Sequence, residues 1–344
     1  MKISQSSIYH LVDSRDSGGI ESHILELTSW LISHDIKTEV VFLKDYGAHP
    51  LKNQLEQAGV AWSIKTSWTS LMKKVKSNQG LIATHGYKAG IFGRCMAKLH
   101  HVPVVSTYHS GDLGKGKLYL YSKLDDLTAG FADQVFCVSQ EIQSRLPVKS
   151  NLIANFTQLA TPPKKLGSKI AFVGRLSEEK GPDSFAHIAS EALLRANTQL
   201  NKEQICLYGQ GPMHNELSTH YPQEWFAGYS KMSEHWQDIG LLCITSRHEG
   251  LPLVALEAMA HGIPVMSFKV GALPQLISEG KDGWIIENQN HHAFIDSLVQ
   301  WSQFNEEQRW QLTKNTQQKI QSQFSSDTLI PKILSIYNQV TQSV

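Results

Sequence analysis

The sequence predicts an α/β protein built from two consecutive Rossmann-like domains, and three observations predict it. Short apolar, β-branched runs alternate with longer amphipathic stretches through most of the chain, the pattern of a parallel sheet flanked by helices. The alternation breaks once near the midpoint and then restarts. The length of 344 residues is more than twice a typical domain of roughly 150.

In the first half the strand candidates are SSIYHLV, TEVVFL, GLIAT, VPVVSTY, QVFCVS and SNLIAN. Between them IESHILELTSWLISH, AGIFGRCMAKLHH and KLYLYSKLDDLTAG carry helical periodicity. The segment TQLATPPKKLGS, with its proline pair, interrupts the rhythm and marks a domain boundary, giving domains 1–160 and 161–324. In the second half KIAFVGRL, QICLYGQG, WFAGY, GLLCITS, IPVMSF and GWIIE read as strands, with helices near 182–197, 252–261 and 273–278. Beyond Asn290 the chain is Gln-rich and helical, and Leu329, Ile333 and Tyr337 form an apolar stripe in the final segment 325–344.

Composition excludes several classes. An apolar fraction of 41% with 18% charged residues supplies core material and argues against disorder. No run approaches the ~18 uninterrupted apolar residues of a spanning helix, and the N-terminus lacks a signal-peptide layout, so a cytoplasmic location is expected. Four dispersed cysteines, Cys95, Cys137, Cys206 and Cys243, suit neither a zinc cluster nor a redox pair and read as free thiols. Charge is polarised: up to Ala160 there are 17 Lys and Arg against 13 Asp and Glu, and beyond it 15 against 18. A basic first half suits an anionic partner, whether a membrane surface, nucleic acid or a phosphorylated substrate, or else is simply solvated.

Open parallel sheets bind ligands beyond the carboxyl ends of their strands, so the loops that follow strands carry the information, and two such domains in tandem are expected to make a cleft. After the first strand, Gly18 and Gly19 precede a helix and let the backbone approach a ligand. In FVGRLSEEKGP, Arg175 and Lys180 flank a loop before a helix start, which places two cations and free amides where a diphosphate would sit; surface pairing with Glu178 and Glu179 is the competing reading. SRHEGLPLVALEAMAHGIPV is the most specific segment. Glu249 and Gly250 end a loop, Pro252 suits a first helical turn, the amides near Leu251, Leu253 and Val254 face the ligand side, and Glu257 lies one turn into the helix. Two carboxylates so placed can grip the hydroxyls of two sugars. Asp125 and Asp126, adjacent in a helical stretch, read as surface residues.

EGLPLVALEAMAHGIPV resembles the E-x7-E signature of retaining GT-B glycosyltransferases of family 4, and GRLSEEKG, YGQGP and the Gly228–Tyr229 dipeptide follow in that family's order. The resemblance implies a GT-B fold, with two Rossmann-like domains facing across a cleft and a C-terminal helix crossing back to the first. It implies that Arg175 and Lys180 neutralise the donor diphosphate, Glu249 holds the donor sugar and Glu257 the ribose. Gly18 and Gly19 would close over the phosphates, Gly209 and Gly211 line the nucleotide pocket, and Tyr229 meet the base. His109 would stand beside the reacting sugar, and His85 contact acceptor or donor.

The activity implied is retaining transfer of a hexose from a UDP- or GDP-linked sugar to a glycan or lipid-linked acceptor, in cell-surface polysaccharide or lipopolysaccharide synthesis. No metal and no cofactor are expected, no nucleic acid, and peripheral contact with an anionic membrane through the basic half. A catalytically silent nucleotide-sugar-binding or scaffolding protein is the alternative; it would be expected to lose some of Glu249, Glu257, Arg175, Lys180 and His109. ANFTQL departs from the Asn-Gly-Val-Asp stretch common in the family.

Overall fold

The computed structural model describes residues 7–15, 18–109 and 116–342. The chain divides into two compact units, one of residues 1–156 with 326–344 and one of residues 157–325.

The first unit runs β1 (Ile8–Val12), α1 (Gly19–Ser33), β2 (Thr38–Phe42), α2 (Pro50–Gln57), β3 (Ala61–Ile64), α3 (Trp68–Ser77), β4 (Leu81–His85), α4 (Tyr87–Leu99), β5 (Val104–Tyr108), α5 (Lys117–Leu127), β6 (Gln134–Cys137), α6 (Gln140–Arg145) and β7 (Asn151–Leu152). Its seven-stranded sheet has the order β3-β2-β1-β4-β5-β6-β7, and every pairing is parallel. Helices cover both faces, which explains why β1, β4 and β5 are buried along their whole length and read as apolar runs. Strand β3 (AWSI) is half-exposed at the sheet edge and carries too weak an apolar signal to be read from sequence.

The second unit runs β8 (Lys169–Val173), α7 (Pro182–Leu193), β9 (Ile205–Tyr208), α8 (His214–His220), β10 (Phe226–Gly228), β11 (Ile239–Ile244), α9 (Leu253–Ala260), β12 (Val265–Phe268), α10 (Leu273–Leu276), β13 (Gly283–Ile286), α11 (His291–Ser302) and α12 (Glu306–Lys319). Its six strands, again parallel, are ordered β10-β9-β8-β11-β12-β13. In each sheet the order reverses beside the first strand, between β1 and β4 and between β8 and β11. The loops after those strands diverge to opposite faces and leave a crevice for ligand.

The final helix α13 (Ser326–Gln342) returns to the first unit. Its apolar stripe of Leu329, Ile330, Ile333, Leu334 and Tyr337 packs with Leu27, Trp30 and Leu31 of α1 and with Val105 and Phe136 beneath. Trp30 Nε1 donates to Asp327 Oδ1 at 2.6 Å, and the Ser326 hydroxyl donates to Glu26, fixing the start of the helix.

Asp125 and Asp126 are not surface residues. Both are buried, at 7% and 8% exposure. Helix α5 turns them toward α4, where the fully buried Arg94 donates to Asp125 Oδ1 at 2.7 Å, to the Asp125 carbonyl and to Thr128, while Arg145 pairs with Asp126. Gly90 makes room for this: a Cβ there would lie 2.4 Å from Asp125 Oδ1. Burial raises the Asp125 pKa to about 6 despite the attraction of Arg94.

Candidate functional site

Two of the loops singled out in the second unit meet at its topological switch point. Loop 174–181 follows β8, and loop 245–252 follows β11. Their backbones are bolted together. Gly181 stands at φ +65°, where a Cβ would lie 2.2 Å from the Thr245 carbonyl oxygen, and the Thr245 hydroxyl donates to the Gly181 carbonyl at 2.7 Å. Arg247 donates its amide to the Glu179 carbonyl and its guanidinium to both carboxylate oxygens of Asp183. Such a forked ion pair carries geometric restraint as well as attraction.

That clamp brings Lys180 to Glu249. The ammonium donates to Glu249 Oε1 at 2.7 Å, and the Ser246 hydroxyl donates to the same oxygen at 2.7 Å. The Glu249 side chain is 8% exposed, while Lys180 keeps 33%. Arg175, on the same loop, is exposed and forms no ion pair among the described residues. Its proposed pairing with Glu178 or Glu179 does not form. Glu179 instead accepts from the Ser177 hydroxyl, which lowers its pKa. A second closure backs Gly250: Ala272 donates its amide to the Gly250 carbonyl at 2.9 Å.

Helix α9 begins at Leu253, with Pro252 as its N-cap rather than inside its first turn. The cap has no side-chain acceptor, and the Leu253 and Val254 amides have no partner among the described residues. Unpaired amides at a helix start attract an anion. Glu257 sits on the second turn of α9, and Leu251 is buried just before it.

Gly209 and Gly211 serve a close backbone crossing. A Cβ on Gly209, whose φ is +140°, would lie 1.8 Å from the Gly174 carbonyl oxygen, and one on Gly211 would lie 2.3 Å from that of Leu176. The loops after β8 and β9 are thereby held against each other, through Gly174 N to Tyr208 O and Leu176 N to Gln210 O. Tyr229 follows β10 and is 79% exposed, so its ring can stack on a planar group.

In the first unit the sheet alternation aligns His10, His85 and His109 on the face covered by α1. His10 Nδ1 lies 3.0 Å from His85 Nε2, and His85 Nδ1 lies 3.0 Å from His109 Nε2, a chain of ring-to-ring hydrogen bonds. His23 of α1 closes on it edge-on to His109 at 4.6 Å, with Phe156 behind at 4.8 Å. Burial is the main cause that lowers every one of these pKa values: His10 to about 3, His23 to about 4, and His85 and His109 well below 6.5. The rings are therefore neutral at physiological pH.

Nitrogens of His23, His85 and His109 lie within 4.8 Å of one another, a spacing that can accommodate a cation. Both nitrogens of His85 already have histidine partners, so the cluster is read as a hydrogen-bonded network. His10 is marked in the sequence as a polar residue inside the apolar run of β1, whereas His23, on α1, carries no such mark. Asn155 and Phe156, from the departing ANFTQL run, pack on His23.

A cavity of about 480 Å³ opens beyond β1 and β4. Arg15, Lys88 and Lys117 face it with Asp13 and Glu21, beside Tyr87 and Tyr121. Lys88 donates to Asp13 Oδ2 at 2.7 Å. Gly18 caps α1 in extended geometry and Gly19 is its first residue. Residues 110–115, with Lys115, lie outside the described residues, as do positions 16 and 17.

Residues 17–148 match the family described as Glycosyltransferase Family 4, and residues 167–303 that described as Glycosyl transferases group 1. The Escherichia coli UDP-Gal:alpha-D-GlcNAc-diphosphoundecaprenol alpha-1,3-galactosyltransferase is 26% identical over 302 residues, covering 78% of this chain and 76% of that protein. The putative colanic acid biosynthesis glycosyltransferase WcaL of Escherichia coli K12 is 24% identical, over 62% of this chain and 55% of its own length. Among solved structures, Anabaena HepE in complex with UDP and glucose superposes with a TM-score of 0.77 at 18% identity, over 97% of this chain and 100% of HepE. This chain shares that fold, the GT-B fold expected from the sequence.

Proposed function

We propose, from the premise that the chain belongs to the group 1 and family 4 glycosyltransferases, that it transfers a hexose with retention from a UDP- or GDP-linked donor to a glycan or lipid-linked acceptor in cell-surface polysaccharide or lipopolysaccharide synthesis. The observation that carries the reading is the convergence of Lys180, Glu249, Arg175 and the unpaired start of α9 on one switch point. UDP is the first donor to test, because the galactosyltransferase is named for UDP-Gal and HepE was solved with UDP and glucose.

Glycosyl transfer develops positive charge at the sugar and negative charge on the departing diphosphate. Arg175, Lys180 and the Leu253 and Val254 amides would stabilise that negative charge. Preorganised donors of this kind supply the largest share of many rate enhancements. Lys180 is held by Glu249 before substrate arrives, which keeps the ammonium in the site. When Lys180 turns to phosphate, Glu249 is released to accept from sugar hydroxyls, with Ser246 still holding one oxygen. Glu257 would receive the ribose, and Gly209, Gly211 and Tyr229 the nucleoside. With the charge met by side chains and amides, the reaction needs neither metal nor cofactor.

His109, neutral and hydrogen bonded to His85, would meet the sugar as a fixed polar contact. The cavity beyond β1, where Arg15, Lys88 and Lys117 outnumber Asp13 and Glu21, suits a phosphate-bearing acceptor, with Arg15 and Lys117 as its contacts. Helix α5, beside it, leaves Leu118, Tyr119, Leu120, Leu124 and Leu127 exposed, next to Lys117 and Lys123. Apolar and basic residues mixed in this way suit the surface of an anionic membrane, where a lipid-linked acceptor resides. No described helix is long and apolar enough to cross a membrane.

The test is turnover: purified protein with UDP-hexoses and GDP-hexoses, and diphosphate-lipid or glycan acceptors, assayed for nucleotide release and for product anomer by NMR. Release of nucleotide with an α-donor giving an α-product supports the reading. Nucleotide binding without release for any donor and acceptor would favour the silent alternative.

A further inference from the structure

A cavity of about 500 Å³ lies in the second unit and away from the loops above. It is lined by Gly167, just before β8, by Ile239, where β11 starts, and by Pro264, just before β12. These are the amino ends of the strands. The donor loops leave the carboxyl ends, and β11 is six residues long, so the two places are roughly 20 Å apart at about 3.3 Å per residue.

The walls combine two features. Lys164, Lys165 and Arg309 bring positive charge against one carboxylate, Glu234, while the part-exposed Pro163, Leu166 and His261 supply apolar surface over the buried Trp236 and Trp301. Arg309 is the unusual member. Its guanidinium lies 4.3 Å from the centre of the Trp301 ring, its Nη2 donates to the Ser302 carbonyl at 3.3 Å, and it has no carboxylate partner among the described residues. Its Nε is buried without an acceptor, and so is the indole N–H of Trp301, a residue 1% exposed. Burial alone lowers the Arg309 pKa, with no neighbouring charge to restore it. A half-buried guanidinium is ordinarily paired, and buried donors such as its Nε ordinarily find acceptors. The volume is that of a small-molecule site.

We infer that this cavity is a second ligand site, which takes a small organic anion with an apolar body: the phosphate or carboxylate head bonds Arg309 with Lys164 and Lys165 nearby, and the body lies against Pro163 and Leu166. Arg309 offers the planar fork that matches such a head in two parallel hydrogen bonds. Nucleotide sugar is not its ligand, since the loops that would hold one are at the other end of the sheet.

Calorimetric titration of the full chain tests the site, with phenyl phosphate, benzoate, inorganic phosphate and benzyl alcohol as probes. Phenyl phosphate or benzoate is expected to bind at submillimolar concentration, and which binds tighter identifies the head group. Inorganic phosphate and benzyl alcohol, each lacking one half of the ligand, should bind at least about tenfold more weakly. R309M should weaken phenyl phosphate by about tenfold or more, the loss of one charge-assisted hydrogen-bonding group. If R309M does not fold, replacing the exposed Lys164 and Lys165 with serine should still weaken it several-fold. E249A, at the other end of the sheet, should leave the affinity unchanged. Equal binding by wild type and both cavity variants, loss of binding in E249A, or no binding by either aromatic anion at 10 mM would each overturn the assignment.

Discussion

The four buried histidines make a pH-dependent demand on the first unit, and its size follows from the structure. His10 and His23 titrate at about 3 and about 4 when folded, against 6.5 when free, because burial disfavours the imidazolium. Both folded values lie below the unfolded one. The stability that these rings contribute is therefore fully present above about pH 6.5, and it is lost as pH falls from there toward pH 4 and 3. Each unit of pKa difference is about 1.4 kcal/mol. At pH 5 each ring is 1.5 units below its unfolded value and still neutral in the fold, so each gives up about 2 kcal/mol and the pair about 4 kcal/mol. Set against a typical total of roughly 5–15 kcal/mol, that loss is large. His85 and His109 shift in the same direction and add to it. Imidazole NMR titration reads the folded values directly. Urea unfolding of wild type and His23→Leu at pH 7.5 and pH 5 reads the linkage, and the variant should lose about 2 kcal/mol less between the two. Titration of His10 and His23 near 6.5, or equal losses in wild type and variant, would refute the reasoning.

Arg175 and Lys180 should separate chemistry from stability. Arg175→Ala removes an exposed, unpaired cation, so thermal unfolding should stay within about 0.5 kcal/mol of wild type while transfer falls roughly 10²–10³-fold in a nucleotide-release assay. Lys180→Ala should cost similarly in rate and also lower the melting temperature, because Glu249 at 8% exposure loses its cation; full activity in both variants would discard the site. Gly209→Ala drives a methyl group to 1.8 Å from the Gly174 carbonyl oxygen, so denaturant unfolding should show a loss of about 3 kcal/mol and the nucleotide loop should shift. Replacing Leu120 and Leu124 with aspartate on the exposed face of α5 should abolish co-sedimentation with anionic vesicles and leave the circular dichroism spectrum unchanged; sedimentation equal to wild type would place membrane contact elsewhere.

How much of this was legible beforehand depended on whether the signal was local. Strands such as β4 and β11 are buried on both faces, so they must be continuously apolar and could be read directly, whereas the half-exposed edge strand β3 could not. Likewise the loop after β8 and the EGLP turn announced themselves through glycine, proline and charge placed after a strand. Their pairing did not: Lys180 and Glu249 are 69 residues apart in sequence, and only the side-by-side placement of β8 and β11 makes them neighbours.

The misread aspartates show the same limit. Two adjacent carboxylates in a helix read as solvated because an isolated buried charge is too costly. The cost is met by Arg94 and Arg145, from α4 and α6, and no local pattern names those partners. His10 lies within an apolar run, and its role rests on His85, 75 residues later. By itself the sequence determined the alternation of elements, the two-domain organisation and the loops that carry chemistry, because burial and turn geometry constrain residues close along the chain. The tertiary structure alone decided which charges are paired, which cation stays free and which rings lose their protons, because those outcomes depend on distances set by strand order and on the exclusion of water.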